Sequence, residues 1–241
     1  MTFLGYPPAS SADPTPAPPA PPPGRSAAAV PLDMAHPAVF GALLTAVAGF
    51  LDVVAYVTFS HLYVSFMSGN SIHLGMALAT LRTSDIAAIS GVVAAFVFGA
   101  SAGTLLHDHA GVRLLPLALG IEAGLLLLAA AASSIALSTI SLLPVALAMG
   151  LQNSLHQTSG QTSVGKGFVS GELVRLGQSI ARLRARAADP AGTATLFLGW
   201  IAFVAGAAGG ALLITLLGPA ACLLIAAAIL VAALVADLFR H

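Results

Sequence analysis

Four side chains are ionisable or strongly polar in stretches that are otherwise apolar. Asp52 lies in the run 38–59 and Glu122 in the run 114–132. His73 and Arg175 occupy matching places, 102 residues apart, in two weaker and more polar stretches. A charged group at the centre of a bilayer costs roughly 2.5–3.5 kcal/mol on insertion scales, so it persists where it faces a cavity or a partner. The chemistry open to such groups is binding of a polar solute or ion, or carriage of a proton. Asp52 and Glu122 are the candidate proton-coupling groups. Asp52 also reads as a hydrogen-bond anchor between helices, and Glu122 as a buried, hydrogen-bonded acid.

Two short motifs add backbone chemistry. Ser68-Gly69-Asn70 and Ser170-Gly171 each precede a helical pattern, which predicts Ser68 and Ser170 as N-caps. A helix that starts inside the membrane presents unpaired N–H groups and a positive dipole end, a ready anion site. Gly69 and Gly171 would let a ligand approach the backbone, and Asn70 would add a donor. The alternative is a pair of small-residue helix contacts. Asp52, with Gly49 and Tyr56 on its face, aligns with Asn153, which is flanked by Gly150 and Gln157. A two-fold relation would bring Asp52 toward Arg175 and Asn153 toward His73, or pair them within each half. Arg175 otherwise belongs to the basic face of Arg182, Arg184 and Arg186. The candidate substrate or ion site is therefore Asp52, Ser68, Gly69, Asn70, His73, Asn153, Ser170, Gly171 and Arg175. His107-Asp108-His109 has metal-ligand types, but no further ligand is near in sequence, so it reads as a surface loop and no metal site is expected.

The elements that must position these groups follow from composition. The 241 residues are 58% hydrophobic and 7% charged, against about 25% charged in soluble domains. Mean hydropathy is +0.95. A cytosolic globular enzyme, a disordered chain and a coiled coil are excluded; an all-α polytopic membrane protein is indicated. Ten of the fifteen prolines fall in residues 1–36. That segment is expected to be a disordered Pro/Ala-rich tail, with a transmembrane domain over 37–241. The stretch 66–75 matches 168–177 in register at Phe, Ser, Gly, Leu and Gly. Gly49-Phe50-Leu51-Asp52 resembles Gly150-Leu151-Gln152-Asn153, and Gly99-x-x-x-Gly103 has its like in Gly206-x-x-x-Gly210. Two repeats, about 38–133 and 139–238, are expected, each with three transmembrane helices and one broken or re-entrant segment. A re-entrant segment makes the repeats inverted; a fully crossing one makes them parallel. The inverted arrangement gathers seven basic residues on one side and leaves only Arg82 on the other, which favours it with the N-terminus cytoplasmic.

These paired motifs resemble the YoaK family of bacterial inner-membrane proteins, grouped as a domain of unknown function. The resemblance rests on Gly49-x-x-Asp52, Ser68-Gly69-Asn70, Gly150-Leu151-Gln152-Asn153 and Ser170-Gly171, and spans roughly 38–238. It implies about six transmembrane helices in the bacterial inner membrane and no particular substrate.

The expected function is transport of a small molecule or ion through a mid-membrane site at the broken helices. The alternative is a non-transporting scaffold or sensor whose proline-rich tail meets a partner. No zincin motif, nucleophile elbow or phosphate loop is present, so no enzymatic activity and no cofactor are expected. The expected partners are the lipid bilayer and an unidentified solute. Zero net charge gives no reason for nucleic-acid binding, and the Gly-rich helix faces offer a route to a homo-oligomer.

Overall fold

A computed structural model describes residues 37–59, 61–110, 114–135, 138–158, 169–184 and 189–239. The expected tail, 1–36, lies outside the described residues. The described chain is helical, without strands: α1 (Pro37–Thr58), α2 (Met67–Ala79), α3 (Thr83–Ala110), α4 (Leu114–Ile135), a 3-10 turn (Thr139–Ser141), α5 (Leu142–Thr158), α6 (Val169–Arg184) and α7 (Pro190–Leu238). Among the described residues four helices are long and apolar enough to cross a membrane: those over Ala38–Thr58, Thr83–Ala110, Leu114–Ile135 and Pro190–Leu238. Their outward faces stay apolar, as at Phe98, Leu105 and Leu216, which suits lipid rather than water.

Local sequence explains where the helices start and stop. Asp189 caps α7, accepting from the N–H groups of Ala191 and Gly192, and Pro190 follows at the first helical position. A straight helix of 49 residues would reach about 74 Å, far beyond a hydrocarbon core of about 30 Å. Gly218 breaks it at φ 77 and ψ 172, and Pro219 has no N–H to continue the ladder. The two parts are 190–217 and 219–238. α2 ends in a Schellman turn: Leu81 is left-handed (φ 52), the Arg82 N–H reaches the Ala77 carbonyl at 3.0 Å, and the Leu81 N–H reaches Leu78.

Two helix pairs touch backbone to backbone. α1 packs on α7, and α3 packs on α5. A Cβ at Gly206 would strike the Ala46 carbonyl, one at Gly210 the Phe50 carbonyl, and one at Gly49 the Phe203 carbonyl. In the other pair, Gly99 faces the Leu147 carbonyl, Gly103 faces Leu151 and Ser154, and Gly150 faces Phe96. In each pair the register rises together, so the paired helices run in the same direction. Small residues permit this approach where lipid offers no hydrophobic drive to association. Both Gly-x-x-x-Gly faces are thus consumed within one chain.

α4 fills the centre. Ala118, Leu119, Ala123, Leu126 and Ala130 are buried, as are Cys222, Leu223, Ala226, Ala227 and Leu230 of the second part of α7. The two elements pack together, and Leu234 lies against Gly120. Gln152 on α5 ties across to α1, its Nε2 donating to the Leu44 carbonyl at 3.0 Å.

This packing predicts opposite outcomes for two glycines. Gly206→Ala drives a methyl into the Ala46 carbonyl and is expected to lower the melting temperature in detergent by several degrees. Gly124→Ala meets nothing within 4 Å and is expected to be neutral or stabilising by up to about 1 kcal/mol. Equal melting of the two variants would contradict the contact.

Candidate functional site

The chain leaves α1 through a sharp reversal. His61 is left-handed (φ 64), its N–H bonds back to the Tyr56 carbonyl at 3.2 Å, and the Leu62 N–H bonds to Phe59. The following segment runs back along α1 to the level of Asp52. There the buried Asp52 carboxylate collects three donors: Oδ1 accepts from the N–H groups of Val64 (2.8 Å) and Ser65 (2.7 Å), and Oδ2 from the Ser65 hydroxyl (2.6 Å). Residue 52 is four turns into α1 and less than two turns, about 9 Å, from its end. α2 therefore starts well below the end of α1.

Asn70 completes the fastening. Its side chain is fully buried and pairs both ways with the Tyr63 backbone: Nδ2 donates to the carbonyl at 2.7 Å, and Oδ1 accepts from the N–H at 2.9 Å. Gly69 is buried beneath the Tyr63 and Phe66 rings, where a Cβ would come within 2.8 Å of both. The glycine makes room for rings, not for a ligand at the backbone. Asn70 likewise spends its donors on this chain, on Tyr63 and more weakly on Met67 Sδ at 3.5 Å.

The expected N-cap at Ser68 is corrected. Phe66 occupies the cap position, without a side-chain cap bond, because its carbonyl already accepts the Gly69 N–H at 3.1 Å and the Asn70 N–H at 3.5 Å. Ser68 is exposed in the first turn. Ser170 and Gly171 lie inside α6 and are exposed, so Ser170 too is a helical residue. The anion near the start of α2 is the chain's own Asp52 carboxylate. The expected contact between Asp52 and Arg175 is not made, since the Asp52 oxygens are held by 64–65. Asn153 does not meet His73 either; its Nδ2 bonds to the Met149 carbonyl on its own helix at 2.8 Å.

Between the end of α1, α2 and the start of α3 lies a cavity of about 670 Å³. Tyr56, His61 and Leu62 line one part of it, His73 and Met76 another. Arg82, Ser84 and Asp85 come from the first turns around α3, and Thr139 from the turn before α5. The Arg82 and Asp85 side chains pair at 3.1 Å. The rings form a connected wall: Tyr56 meets His61 edge-on at 4.7 Å and Tyr63 at 5.2 Å, and Tyr63 lies 6.4 Å from His73. Of the candidate site residues named from sequence, His73 alone reaches this cavity. Tyr56, His61, Arg82 and Asp85 were not among them; Arg82-x-x-Asp85 at helical spacing was the available signal.

Glu122 stands apart. It is 1% exposed on α4, and its Oε2 has no partner among the described residues. On α6, Glu172 is buried, with Oε2 about 3.5 Å from where a Gly199 Cβ would be, and Arg175 is half-buried. His107 and His109 sit in the last turn of α3, where His109 Nδ1 contacts the Leu105 carbonyl at 2.7 Å. Among the described residues no cluster of three metal-ligating side chains forms.

The carboxylate clamp predicts a coupled loss of stability. Asp52→Ala leaves the buried Val64 N–H and the half-buried Ser65 N–H without an acceptor and is expected to cost about 2–4 kcal/mol. Ser65→Ala is expected to cost about 1–2 kcal/mol in the wild type and far less in the Asp52→Ala background. A double-mutant cycle read from detergent melts checks this; strict additivity would contradict the clamp.

Comparison with known proteins gives one relation. The family described as a protein of unknown function (DUF1275) matches residues 40–236. No curated protein and no solved structure matches the chain. The family is the one the paired motifs pointed to, with YoaK as its bacterial member name, and the chain belongs to it.

Proposed function

We propose that the protein is a transporter of a small molecule or ion, built from two inverted halves, 38–133 and 139–238, in a bacterial inner membrane. The observation that carries this reading is the recurrence of one contact set in two places. Positions 46, 49 and 50 of α1 recur as 147, 150 and 151 of α5, each 101 residues later; positions 96, 99 and 103 of α3 recur as 203, 206 and 210 of α7, each 107 later. Exchanging the halves carries one helix pair onto the other, as a two-fold axis would. Two interlocked, repeat-related units with broken helices are a recurrent frame for alternating access.

The lining of the cavity supports the inverted sense of the halves. It is lined by the end of α1, the start of α3 and the turn before α5. α1 runs toward that side, whereas α3 and α5 run away from it. On this reading 59–82 enters and leaves on one side, each half crosses three times, and α5 is antiparallel to its counterpart α1. We read the side opposite the cavity, where α6 ends with Arg182 and Arg184, as the cytoplasmic one, together with the N-terminus.

Roles divide accordingly. Asp52 and Asn70 hold the re-entrant segment, and His73 faces the solute path from α2. Arg175, with Ser170 and Gly171, stands at the corresponding place on the cytoplasmic side, and Asn153 replaces Asp52 in the second half. Glu122, buried on the central helix with no partner for Oε2 among the described residues, is the candidate proton carrier.

Reconstituted vesicles test the reading. Solid-supported-membrane currents and counterflow are measured with a panel of amino acids, sugars, carboxylates and monovalent cations. Saturable movement of one class is expected, with solute-driven proton movement lost in Glu122→Gln while counterflow survives. Absence of flux for every class, with the protein folded and inserted, would remove transport and leave a scaffold or sensor.

A further inference from the structure

We propose that the cavity between α1, α2 and α3 is a binding site for a zwitterionic amino acid with an apolar or aromatic side chain. The inference names the solute class for the transporter reading and rests on that reading for its purpose. Its size, about 670 Å³, falls in the range of small-molecule sites, roughly 300–1,000 Å³.

The two walls differ in chemistry. One is made of rings and a thioether: Tyr56 and His61, in edge contact at 4.7 Å, with His73 and Met76 beside them. These are surfaces on which an aromatic or aliphatic side chain packs. The other wall carries Arg82 and Asp85, joined at 3.1 Å one turn apart, the one fixed cation and the one fixed anion of the lining among the described residues. A solute bearing a single charge would satisfy one member of this pair and strip the other of its partner. An α-amino acid carries both charges on one carbon. It can set its carboxylate against Arg82 and its ammonium against Asp85, so that four charges alternate and none is left alone. Opening the pair to admit it costs little, because both side chains are about half exposed and such pairs contribute roughly 0–1 kcal/mol.

The ring wall is preorganised. His61 is held at φ 64, a conformation uncommon for a residue with a Cβ. The bonds from Val64 and Ser65 to Asp52, and between Asn70 and Tyr63, fix the segment that carries it. A wall ordered before the ligand arrives saves ordering entropy on binding.

The test is ligand-dependent melting of the purified full chain in detergent with L-phenylalanine, phenylacetate, 2-phenylethylamine or glucose at equal concentration. L-phenylalanine is expected to raise the melting temperature by about 5 °C at one hundred times its Kd, and the other three to leave it unchanged. Arg82→Ala and Asp85→Ala, which touch no core contact, are expected to melt like wild type without ligand and to lose the shift. Tyr56→Ala reads the ring wall independently: it is expected to weaken L-phenylalanine at least tenfold and L-alanine much less. An equal shift with phenylacetate or 2-phenylethylamine, a shift that survives both charge substitutions, or no shift with phenylalanine, leucine or methionine would overturn the proposal. Binding without flux would retain the site and remove the transport reading. Flux of other solutes without an amino-acid shift would do the reverse.

Discussion

Non-helical backbone in a hydrocarbon environment must find its hydrogen bonds inside the protein, and Asp52 is how this chain meets that demand. The segment between α1 and α2 has no helical ladder of its own. Two of its N–H groups and one hydroxyl converge on a single carboxylate, and the backbone of Tyr63 is paired by one amide, Asn70. With these bonds the chain turns back beside α1, α2 begins below the helix end, and a cavity opens on that side. An acid that insertion energetics would disfavour is retained because it replaces water for the segment beside it.

The second constraint is the closeness of the paired helices. Lipid tails are as apolar as leucine, so association relies on packing, and glycine facing a carbonyl gives the nearest approach. Each pair uses three such contacts. The pairing joins elements far apart in sequence: α1 meets the first part of α7, and α3 meets α5. The central helix α4 and the second part of α7 fill the space between them with alanine and leucine.

Much of this was legible in the sequence, though unevenly. The membrane class follows from composition, and the isolation of Asp52 and Glu122 in apolar runs marked two acids that the fold buries. The Gly-x-x-x-Gly spacings marked the right faces, but spacing is silent on which helix each face meets. The partners of Asp52 were illegible for a related reason. Val64 and Ser65 act through backbone N–H groups, which carry no residue signature, and their approach depends on a left-handed turn at His61 rather than at a glycine. Ser68 suggested a cap because serine caps helices in general; the Phe66 carbonyl already served the first turn. The cavity residues were hidden because Tyr56, His61 and Arg82 are ordinary at helix ends, and the fold alone brings them together. Arg175 was placed toward Asp52 by an assumed two-fold relation, whereas the Asp52 oxygens are taken by Val64 and Ser65.

The inverted relation of the halves is the claim on which the rest turns, and accessibility in intact cells tests it most directly. Cys222, buried and the one cysteine of the chain, is replaced by alanine, and a single cysteine is placed at Ser84 or at its counterpart Ala191 in the second half. An impermeant thiol reagent is then applied from outside. The account predicts rapid labelling at 84 and none at 191 until the cells are opened. Labelling of both positions from the same side would make the halves parallel and contradict it.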